Sequence, residues 1–388
     1  MTSGERRSGR RPTLLIVSFS AISADARVLK QVALFRDDFE VTTCGYGPAP
    51  DGVVEHLRIP DGTRAVPRNP ILIRARLYAT VYRRMPAVRT ARALLRGRSF
   101  DVAFANEYET VPIALDVARD GVHADLHEYS SRLHEEVPAW RRLIAPYVRW
   151  MIRRYVRRAS SVTTVSLGLA REYRREFGID AAVVRNAAPY AQASPHATGS
   201  VIRLVHSGAG LRSRRLEDTI EAVLRTAAPV TLDLYLTRNH PDYVDELRAT
   251  ADRSDGRVTV HDPVPYAQLA ETLRAHDVGI HVLPALNFNN EWAMPNKIFD
   301  YIQARLGVIV GPSPEMAPFI TELGVGVAAR GFAVEDIVGV LDALSPAAVD
   351  EMKQRSDAVA REVSAEAESV PWRTAVESIL TGRPNGPR

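Results

Sequence analysis

Residues 202–225 read IRLVHSGAGLRSRRLEDTIEAVLR, and the order of features in this stretch decides the fold. The apolar run Ile202–His206 predicts a buried strand. Small residues then provide a turn, and Leu216–Arg225 has the apolar period of an amphipathic helix. A strand followed directly by a helix is the repeating unit of a parallel sheet, because the chain must cross a face of the sheet before it starts the next parallel strand.

The same alternation of short apolar runs and amphipathic segments fills the chain. The first half has predicted strands at Leu14–Phe19, Glu40–Gly45, Asp101–Ala105, Ala124–His127, Ser161–Val165 and Ala182–Arg185, and predicted helices at Asp25–Arg36, Ile71–Leu95, Val111–Arg119, Ala139–Arg158 and Leu167–Phe177. The second half has predicted strands at Ile202–His206, Thr231–Leu236, Val258–His261, Gly279–Leu283, Val308–Val310 and Gly326–Ala328, and predicted helices at Leu216–Arg225, Asp242–Asp252, Tyr266–Ala275, Asn296–Arg305 and Val334–Leu344. We therefore predict an α/β protein of two doubly wound, Rossmann-like domains that face a central cleft.

A length of 388 residues suits two domains. The predicted plan is a disordered basic tail at 1–12, a Rossmann-like domain at 13–188, a linker at 189–200, a second Rossmann-like domain at 201–365, a helix at 366–382 that crosses back to the first domain, and a disordered tail at 383–388. Because a doubly wound sheet binds ligands beyond the carboxyl ends of its strands, we look for functional residues directly after strands.

Composition excludes several classes of protein. The chain is 46% hydrophobic and 25% charged, and no apolar run approaches the ~18 residues that a membrane span needs. The single cysteine, Cys44, excludes a disulfide framework and a multi-cysteine metal site. The apolar run Leu14–Phe19 is too short for a signal peptide, so we predict a cytoplasmic protein.

The charge is distributed unevenly along the chain. Residues 1–190 carry a net charge of +11 and residues 191–388 a net charge of −7. Only three of the 50 basic residues are lysines, a bias that points to GC-rich coding, and we predict no nucleic-acid partner. The basic first half is either a solvated arginine-rich face or a surface for peripheral contact with an anionic membrane.

Polar residues follow two predicted strands of the first half. Residues 105–110 read ANEYET and residues 125–132 read DLHEYSSR. His127, followed by Glu128 at a strand end, is interpreted as a site residue rather than a structural histidine. The turn after the first strand (residues 18–27) contains no glycine, which excludes a G-x-G-x-x-G dinucleotide fingerprint there and leaves an NAD-dependent dehydrogenase as the weakest alternative.

Two segments of the second half suit an anion. The turn at 208–215 combines glycines, arginines and a helix start, which favours a diphosphate through backbone N–H groups and guanidinium forks. Residues 283–301 read LPALNFNNEWAMPNKIFDY, where Pro295 suits the first turn of a helix. Lys297 stands out because the chain otherwise uses arginine, and Asp300 has the chemistry to accept hydrogen bonds from a ribose diol.

These segments together resemble the GT-B glycosyltransferases, and within them the large family 4 of retaining, nucleotide-sugar-dependent enzymes. The resemblance covers roughly residues 12–345. The segment PNKIFDY at 295–301 is similar to the family's donor motif, in a subgroup that carries Pro-Asn-Lys. Further similar blocks are ANEYETVP at 105–112, DLHEY at 125–129, VSLGL at 165–169 and VRNA at 184–187.

The resemblance implies roles for individual residues. The implied catalytic residues are His127, Glu128, Arg214 and Lys297. The implied donor-binding residues are Gly208, Gly210, Arg212, Arg214, Asn287, Asn289, Asn290, Glu291, Pro295, Asn296, Lys297 and Asp300. The implied acceptor-side residues are Ser20, Ser23, Arg27, Asn106, Glu107, Glu109, Tyr129 and Asn186.

The implied reaction transfers a sugar from a nucleoside diphosphate sugar (UDP or GDP), with retention of configuration, to a small polar acceptor of natural-product or thiol metabolism. The donor is a co-substrate, and neither a cofactor nor a metal is implied. In this scheme His127 helps to stabilise the oxocarbenium-like state, the leaving phosphate deprotonates the acceptor, and closure about residues 186–200 excludes water. A homodimer is a further expectation.

Two departures from the family pattern keep other readings open. The residue eight before Asp300 is Trp292, so the first glutamate of the family's Glu-x7-Glu motif is displaced to Glu291 or replaced by an asparagine of residues 287–290. The family's Gly-x-Pro-Val reads Arg305-Leu-Gly307-Val308. The alternatives are a membrane-associated enzyme acting on a lipid-linked or cell-surface acceptor, and a non-catalytic nucleotide-binding partner protein.

Overall fold

The chain divides into two units in a computed structural model that describes residues 10–67 and 69–382, without the side chains of residues 266 and 267. The first unit holds the described residues up to Val165, Leu169–Val184 and the chain from Ser369 onward. The second unit holds Ser166–Gly168 and Arg185–Glu368. Of the tails predicted to be disordered, residues 1–9 and 383–388 lie outside the described residues.

A seven-stranded parallel sheet forms the centre of the first unit, in the order β3-β2-β1-β4-β5-β6-β7. Its strands are β1 Thr13–Ala21, β2 Glu40–Tyr46, β3 Glu55–Arg58, β4 Phe100–Asn106, β5 Ala118–Leu126, β6 Ser161–Thr164 and β7 Ala181–Val183. Its helices are α1 Ala26–Phe35, α2 Pro70–Arg74, α3 Tyr78–Arg84, α4 Pro86–Leu94, α5 Val111–Val117, α6 Pro138–Arg154, α7 Leu167–Phe177 and, at the end of the chain, α17 Val370–Thr381.

Local breaks account for the differences from the predicted elements of this unit. The helix predicted at 71–95 is three helices, because Arg76 has a left-handed φ of 55° and Pro86 starts a new helix at its first position. The helix predicted to reach Arg119 ends at Val117, and β5 begins at Ala118. Strand β3, which is short and polar, was not predicted; it pairs with β2 in parallel at the edge of the sheet.

The second unit has a six-stranded parallel sheet in the order β10-β9-β8-β11-β12-β13. Its strands are β8 Ile202–Ala209, β9 Val230–Thr237, β10 Val258–His261, β11 Val278–His281, β12 Gly307–Val310 and β13 Gly326–Ala328. Its helices are α8 Leu216–Arg225, α9 Pro241–Ala251, α10 Tyr266–Arg274, α11 Phe288–Glu291, α12 Asn296–Gln303, α13 Met316–Leu323, α14 Val334–Asp342, α15 Pro346–Val359 and α16 Ala365–Glu368.

Both sheets are doubly wound, as the sequence predicts. Strand order reverses between β1 and β4 in the first unit and between β8 and β11 in the second. Buried aliphatic side chains cover both faces of the second sheet, with one cluster under α8 and α9 and another under α12 and α13. The α/β fold class and its two Rossmann-like sheets are therefore confirmed.

The segment predicted as a linker, 189–200, is hydrogen-bonded to the second unit. Ala191 N donates to the Gln303 side chain (3.0 Å), and Thr198 N donates to Asp350 (2.9 Å). Arg305 is buried and has a left-handed φ of 64°, and its guanidinium donates to Asp357 (2.6 Å) and to the Ala191 carbonyl (2.8 Å). Arg305 thus has a structural role at this position, where the family pattern has glycine.

Helix α17 packs on the first sheet through Trp372. The Trp372 side chain is 1% exposed, and its Nε1 donates to Thr163 Oγ1 (3.1 Å) and to Asp125 Oδ1 (3.4 Å). The Arg27 guanidinium lies 4.7 Å from the centre of the Trp372 ring. The last helix of the chain therefore completes the core of the first unit, although α16 just before it belongs to the second.

We predict that Trp372→Ala lowers the free energy of unfolding of the first unit by about 3–5 kcal/mol, because it removes a buried aromatic side chain and leaves a cavity. Urea denaturation followed by circular dichroism measures this change. Val370→Ala, in the same helix at a position 58% exposed, is the control and changes stability by less than about 0.5 kcal/mol. Equal effects of the two substitutions would contradict the packing role of Trp372.

Candidate functional site

Each unit has a cluster of polar side chains at the point where its strand order reverses. In open α/β sheets this point leaves a crevice at the carboxyl ends of the strands, and ligands bind there. The first cluster lies at the ends of β4 and β5. The second lies at the ends of β8 and β11 and the start of α12.

The centre of the first cluster is a buried ion pair. Asp125 at the end of β5 accepts two hydrogen bonds from Arg27 of α1, from Nε and from one terminal nitrogen, both at 2.7 Å. Asp125 also accepts from the Gln31 amide (3.0 Å). Gln31 and Asn106 exchange two hydrogen bonds of 2.9 Å. These contacts join α1, β4 and β5 through side chains that are almost fully buried.

His127 follows β5 and borders this network. Its Nε2 lies 3.1 Å from Asn106 Oδ1 and 3.3 Å from Asp125 Oδ2, both of which are acceptors, so Nε2 carries a proton. Its Nδ1 lies 3.8 Å from a Glu107 carboxylate oxygen. The side chain is 24% exposed, and Nε2 is turned toward the network. His127 therefore cannot act as a base through Nε2 in this arrangement.

Two carboxylates set the charge of His127. Burial alone would lower the pKa of His127, but the hydrogen bond to Asp125 and the charges of Asp125 and Glu107 outweigh it and raise that pKa above its ordinary value. The Arg27 charge opposes this rise. Because the pKa of His127 is raised, its imidazolium stabilises the folded state fully at low pH, and this contribution is lost as the pH rises through the folded-state pKa.

Glu107 shapes the loop after β4. It has a left-handed φ of 65°, which is unfavourable for a residue with a side chain. Its carboxylate accepts from the backbone N–H of His127 (2.8 Å) and from Ser130 Oγ (3.1 Å). Glu109 has a buried carboxylate oxygen with no hydrogen-bond partner among the described residues. Burial, with the nearby charge of Glu107, raises the pKa of Glu109 to about 8.

The other predicted residues of the first unit have different surroundings. Ser20 Oγ bonds Ser18 Oγ at 2.8 Å, while Ser23, in a 3₁₀ turn after β1, and Asn186 are both partly exposed. Glu128 is exposed, and its backbone carbonyl accepts from Tyr173. Two acceptor-side predictions fall on buried side chains. Tyr129 is fully buried with its hydroxyl bonded to Glu176, and Arg27 is 3% exposed and paired with Asp125. Their acceptor-side roles stay predictions.

The second cluster consists of Lys297 and two histidines. His206 lies near the end of β8 and His281 ends β11, and each is 3% exposed. Lys297 in the first turn of α12 is partly exposed, and its Nζ lies 3.4 Å from His206 Nε2. The two imidazole rings are 5.5 Å apart, and His281 Nε2 is buried without a hydrogen-bond partner among the described residues.

The cluster has an excess of groups that can become cations. Burial lowers the pKa of Lys297 to about 7, with a further contribution from the Arg214 charge and an opposing one from Asp300. Burial and the charges of Lys297 and Arg214 hold the pKa of both histidines well below its ordinary value. Groups that are costly to charge in isolation are stabilised by an anion, so this arrangement suits a phosphate ligand.

The residues of the turn after β8 that were predicted to bind the donor have different surroundings. Gly208 has a φ of +141°, which favours glycine, and a Cβ there would lie 2.7 Å from Lys297 Nζ, so the turn passes close to this amine. Gly210 packs instead against Val244 of α9. Arg212 is exposed and pairs with Glu246 (2.8 Å). Gly210 thus packs against a helix and Arg212 forms a surface ion pair, and their roles as donor ligands stay predictions.

The loop at 287–296 is built mainly as helix caps. The Asn287 side chain accepts from Asn290 N (2.9 Å) and so caps α11, while its role as a donor ligand stays a prediction. The Asn290 side chain donates to the Pro284 carbonyl (3.4 Å). Asn289 is buried, and Glu291 is exposed. Pro295 caps α12, while Asn296, Lys297 and Asp300 lie in its first turns, which places the Asp300 carboxylate on the same short helix as the ammonium.

Residues 10–67 and 69–382 contain no group of three or more His, Cys, Asp or Glu side chains that could hold a metal ion. In the same ranges no helix combines the length and the apolarity that crossing a membrane requires.

Sequence reasoning missed four side chains of the two clusters: Asp125, Gln31, His206 and His281. A signal existed for Asp125, because residues two apart in a strand share a face and Asp125 precedes His127 by two. His206 is a histidine inside an apolar strand near its carboxyl end. His281 has the same setting in β11, but only the strand order shows that β8 and β11 are neighbours.

Comparisons with known proteins agree with this fold. Residues 32–189 match the model of the family described as Glycosyltransferase Family 4. No curated protein has a sequence that matches the chain. Similar solved structures include sucrose-phosphate synthase from Thermosynechococcus elongatus (TM-score 0.71, 11% identity, 96% of this chain and 100% of that chain).

Two further solved structures show the same likeness. Anabaena HepE in complex with UDP has a TM-score of 0.66 at 15% identity, covering 94% of this chain and 100% of its own. The α,α-trehalose 6-phosphate synthase of Burkholderia multivorans has a TM-score of 0.67 at 12% identity, covering 96% and 100%. The chain has the GT-B fold. At these identities the likeness establishes the fold alone.

We predict that Glu107→Gln lowers the pKa of His127, because it removes one of the two carboxylates that favour the imidazolium. A histidine NMR titration measures the pKa, with the His127 signal assigned by its loss in His127→Gln. Equal melting temperatures of the two proteins are the control that the substitution leaves the fold intact. An unchanged His127 pKa would contradict the electrostatic role of Glu107.

Proposed function

We propose that the protein is a glycosyltransferase that moves a sugar from a nucleoside diphosphate sugar to a small polar acceptor, with retention of configuration. The match of residues 32–189 to Glycosyltransferase Family 4 and the GT-B fold support this class of reaction. HepE, one of the similar structures, was solved with UDP and with UDP-glucose, which favours a nucleotide sugar as the donor here.

The observation that carries the proposal is the cluster at the strand reversal of the second unit. Lys297, with Arg214 nearby, supplies positive charge where a diphosphate would bind and later leave. Asp300 lies one turn along the same helix and is proposed to accept hydrogen bonds from the ribose hydroxyls. The cluster thus offers cations for the phosphates and a carboxylate for the sugar of the nucleoside.

His127 of the first unit is proposed to contact the transferring sugar. Asp125 pairs with the Arg27 guanidinium, and both Asp125 and Glu107 lie close to His127, so carboxylates accompany both basic side chains. We therefore propose that His127 acts by hydrogen bonding through its partly exposed edge rather than as a cation beside an oxocarbenium-like state. Asp125 and Asn106 hold the ring in place for this contact.

No protein base is needed in this scheme. Retention is proposed to follow from attack of the acceptor on the same face from which the phosphate leaves, and the leaving phosphate takes the acceptor proton. The site in the second unit combines cations with one carboxylate, and its charges suit a diphosphate without a divalent ion. Independence of metals and of cofactors stays a prediction.

A second candidate is an enzyme that acts on a membrane-displayed acceptor. The joint between α2 and α3 exposes Ile71 (74%) and Leu77 (51%) beside the exposed Arg74 and Arg76. Apolar and basic side chains on one surface favour an anionic bilayer interface. Flotation with phosphatidylglycerol vesicles at low and high salt tests this alternative. Absence of binding at both salt concentrations would contradict it.

A non-catalytic nucleotide-binding protein is the remaining alternative. Arg305 motivated this reading, but its contacts account for it structurally. The displaced glutamate of the donor motif still supports it. Nucleotide binding without release of UDP or GDP across a broad panel of sugar donors and acceptors would favour it over catalysis.

We predict that substitutions at Asp300 and His127 separate binding from turnover. A thermal-shift screen with UDP, GDP, ADP and TDP first identifies the nucleotide. Asp300→Ala then weakens nucleotide binding by about 10- to 100-fold, since a hydrogen bond to a charged group contributes about 1.5–3 kcal/mol. His127→Gln leaves nucleotide affinity unchanged and lowers kcat by about a hundredfold.

Calorimetry and a nucleotide-release assay measure the two quantities. Asp242→Asn, an exposed aspartate of α9, is the matched control and leaves both unchanged. Unchanged nucleotide affinity in Asp300→Ala would count against the ribose role.

A further inference from the structure

Two buried histidines of the second unit, His206 and His281, have no role in the reaction described above. His206 and His281 are each 3% exposed and lie at the carboxyl ends of adjacent strands, β8 and β11. Lys297 is the partly exposed member of the same cluster. The arrangement therefore places two titratable rings directly behind the ammonium.

The backbone fixes the tautomer of His206. Its Nδ1 lies 2.9 Å from the Ile280 carbonyl oxygen, which can only accept, so Nδ1 carries a proton. In the neutral ring Nε2 is then an acceptor, and Lys297 Nζ lies 3.4 Å from it. Neutral His206 is thus a hydrogen-bond acceptor for Lys297 and helps to position its amine.

His281 has an unused hydrogen-bonding atom. Its Nε2 is buried and has no partner among the described residues. A buried polar atom without a partner is costly, and such atoms in native proteins are explained by a ligand, an ion or a functional role. The electrostatic neighbours of His281 are Lys297, His206 and Arg214, all of them cations or potential cations.

We propose that His206 and His281 join Lys297 in binding the diphosphate of the donor, and that binding of the diphosphate is coupled to proton uptake by this cluster. This inference rests on the proposed function, which supplies the diphosphate. It adds two binding residues and a coupling between donor affinity and pH.

The charged groups around the cluster determine the direction of the coupling. Arg214 lowers the pKa of Lys297 and of both histidines, and Asp300 raises that of Lys297. Tyr301 stays neutral, since burial raises the pKa of its hydroxyl, which accepts from Ser207 N. The empty cluster is thus short of protons near neutral pH. A bound anion favours the charged forms, so donor affinity falls as the pH rises.

Isothermal titration calorimetry of the full chain tests the proposal, with UDP-glucose as the probe and GDP-mannose in a parallel series. Each phosphate of these donors is substituted on two oxygens and does not titrate in the pH range used. The terminal phosphate of free UDP, in contrast, titrates at about pH 6. Binding enthalpies measured in buffers of different ionisation enthalpy give the number of protons taken up. Measurements are made at pH 6, 7 and 8.

The wild-type protein is expected to take up nearly one proton at pH 8, where Lys297 is mostly neutral in the empty site. At pH 6 it is expected to take up a fraction of a proton, which the histidines accept. The pKa of Lys297 is about 7, so the protonated form that binds the donor becomes rarer above this pH. The Kd of the protein for the donor is therefore expected to rise about fivefold from pH 7 to pH 8.

Three variants assign the protons. Lys297→Met loses the uptake at pH 8 and keeps that at pH 6. The double variant His206→Gln with His281→Gln keeps the uptake at pH 8 and loses that at pH 6. The side-chain amide introduced by His206→Gln still offers Lys297 a hydrogen-bond acceptor. His261→Gln, a histidine of the same unit paired with Asp233, is the control and changes neither. Melting temperatures confirm that each variant is folded.

The outcomes separate the inference from the function on which it rests. Donor binding without buffer dependence at pH 6 and pH 8 overturns the proton coupling and leaves the proposed function intact. Uptake at pH 6 that persists in the double histidine variant overturns the assignment to the histidines. If neither nucleotide sugar binds at any pH, the proposed function fails, and the inference fails with it.

Discussion

Parallel pairing of β8 with β11 brings together the residues on which the proposed chemistry depends. These strands are separated by 68 residues in the chain, from Ala209 to Val278, but lie side by side where the sheet reverses its order. Their carboxyl ends place His206 and His281 next to each other, and α12 adds Lys297. The same reversal between β1 and β4 in the first unit brings α1 to the end of β5 and pairs Arg27 with Asp125.

The two clusters differ in their balance of cations and carboxylates. In the first, cations and carboxylates are matched inside the unit, so the network is satisfied and holds one partly exposed histidine in a defined orientation. In the second, cations outnumber carboxylates, and a buried ring nitrogen has no partner among the described residues. A satisfied network suits positioning, and an unsatisfied cationic one suits a bound anion.

The sequence predicts the alternation of strands and helices because burial on both faces of a parallel sheet imposes apolar runs that are easy to recognise. It does not predict β3, because three of its four residues are polar and the strand pairs only at the sheet edge. His127 and Lys297 could be singled out because they directly follow a strand or start a helix. His206 and His281 could not, since their proximity depends on strand order, and the sequence does not show that Asn287 caps α11.

The central claim is that the second unit binds a nucleoside diphosphate at the strand reversal. A crystal structure of the protein with the nucleotide that stabilises it most tests this directly. The account predicts diphosphate oxygens within hydrogen-bond distance of Lys297 Nζ and His281 Nε2, with the ribose hydroxyls on the Asp300 carboxylate. A diphosphate bound elsewhere, with Lys297 still bonded to His206 alone, would contradict it.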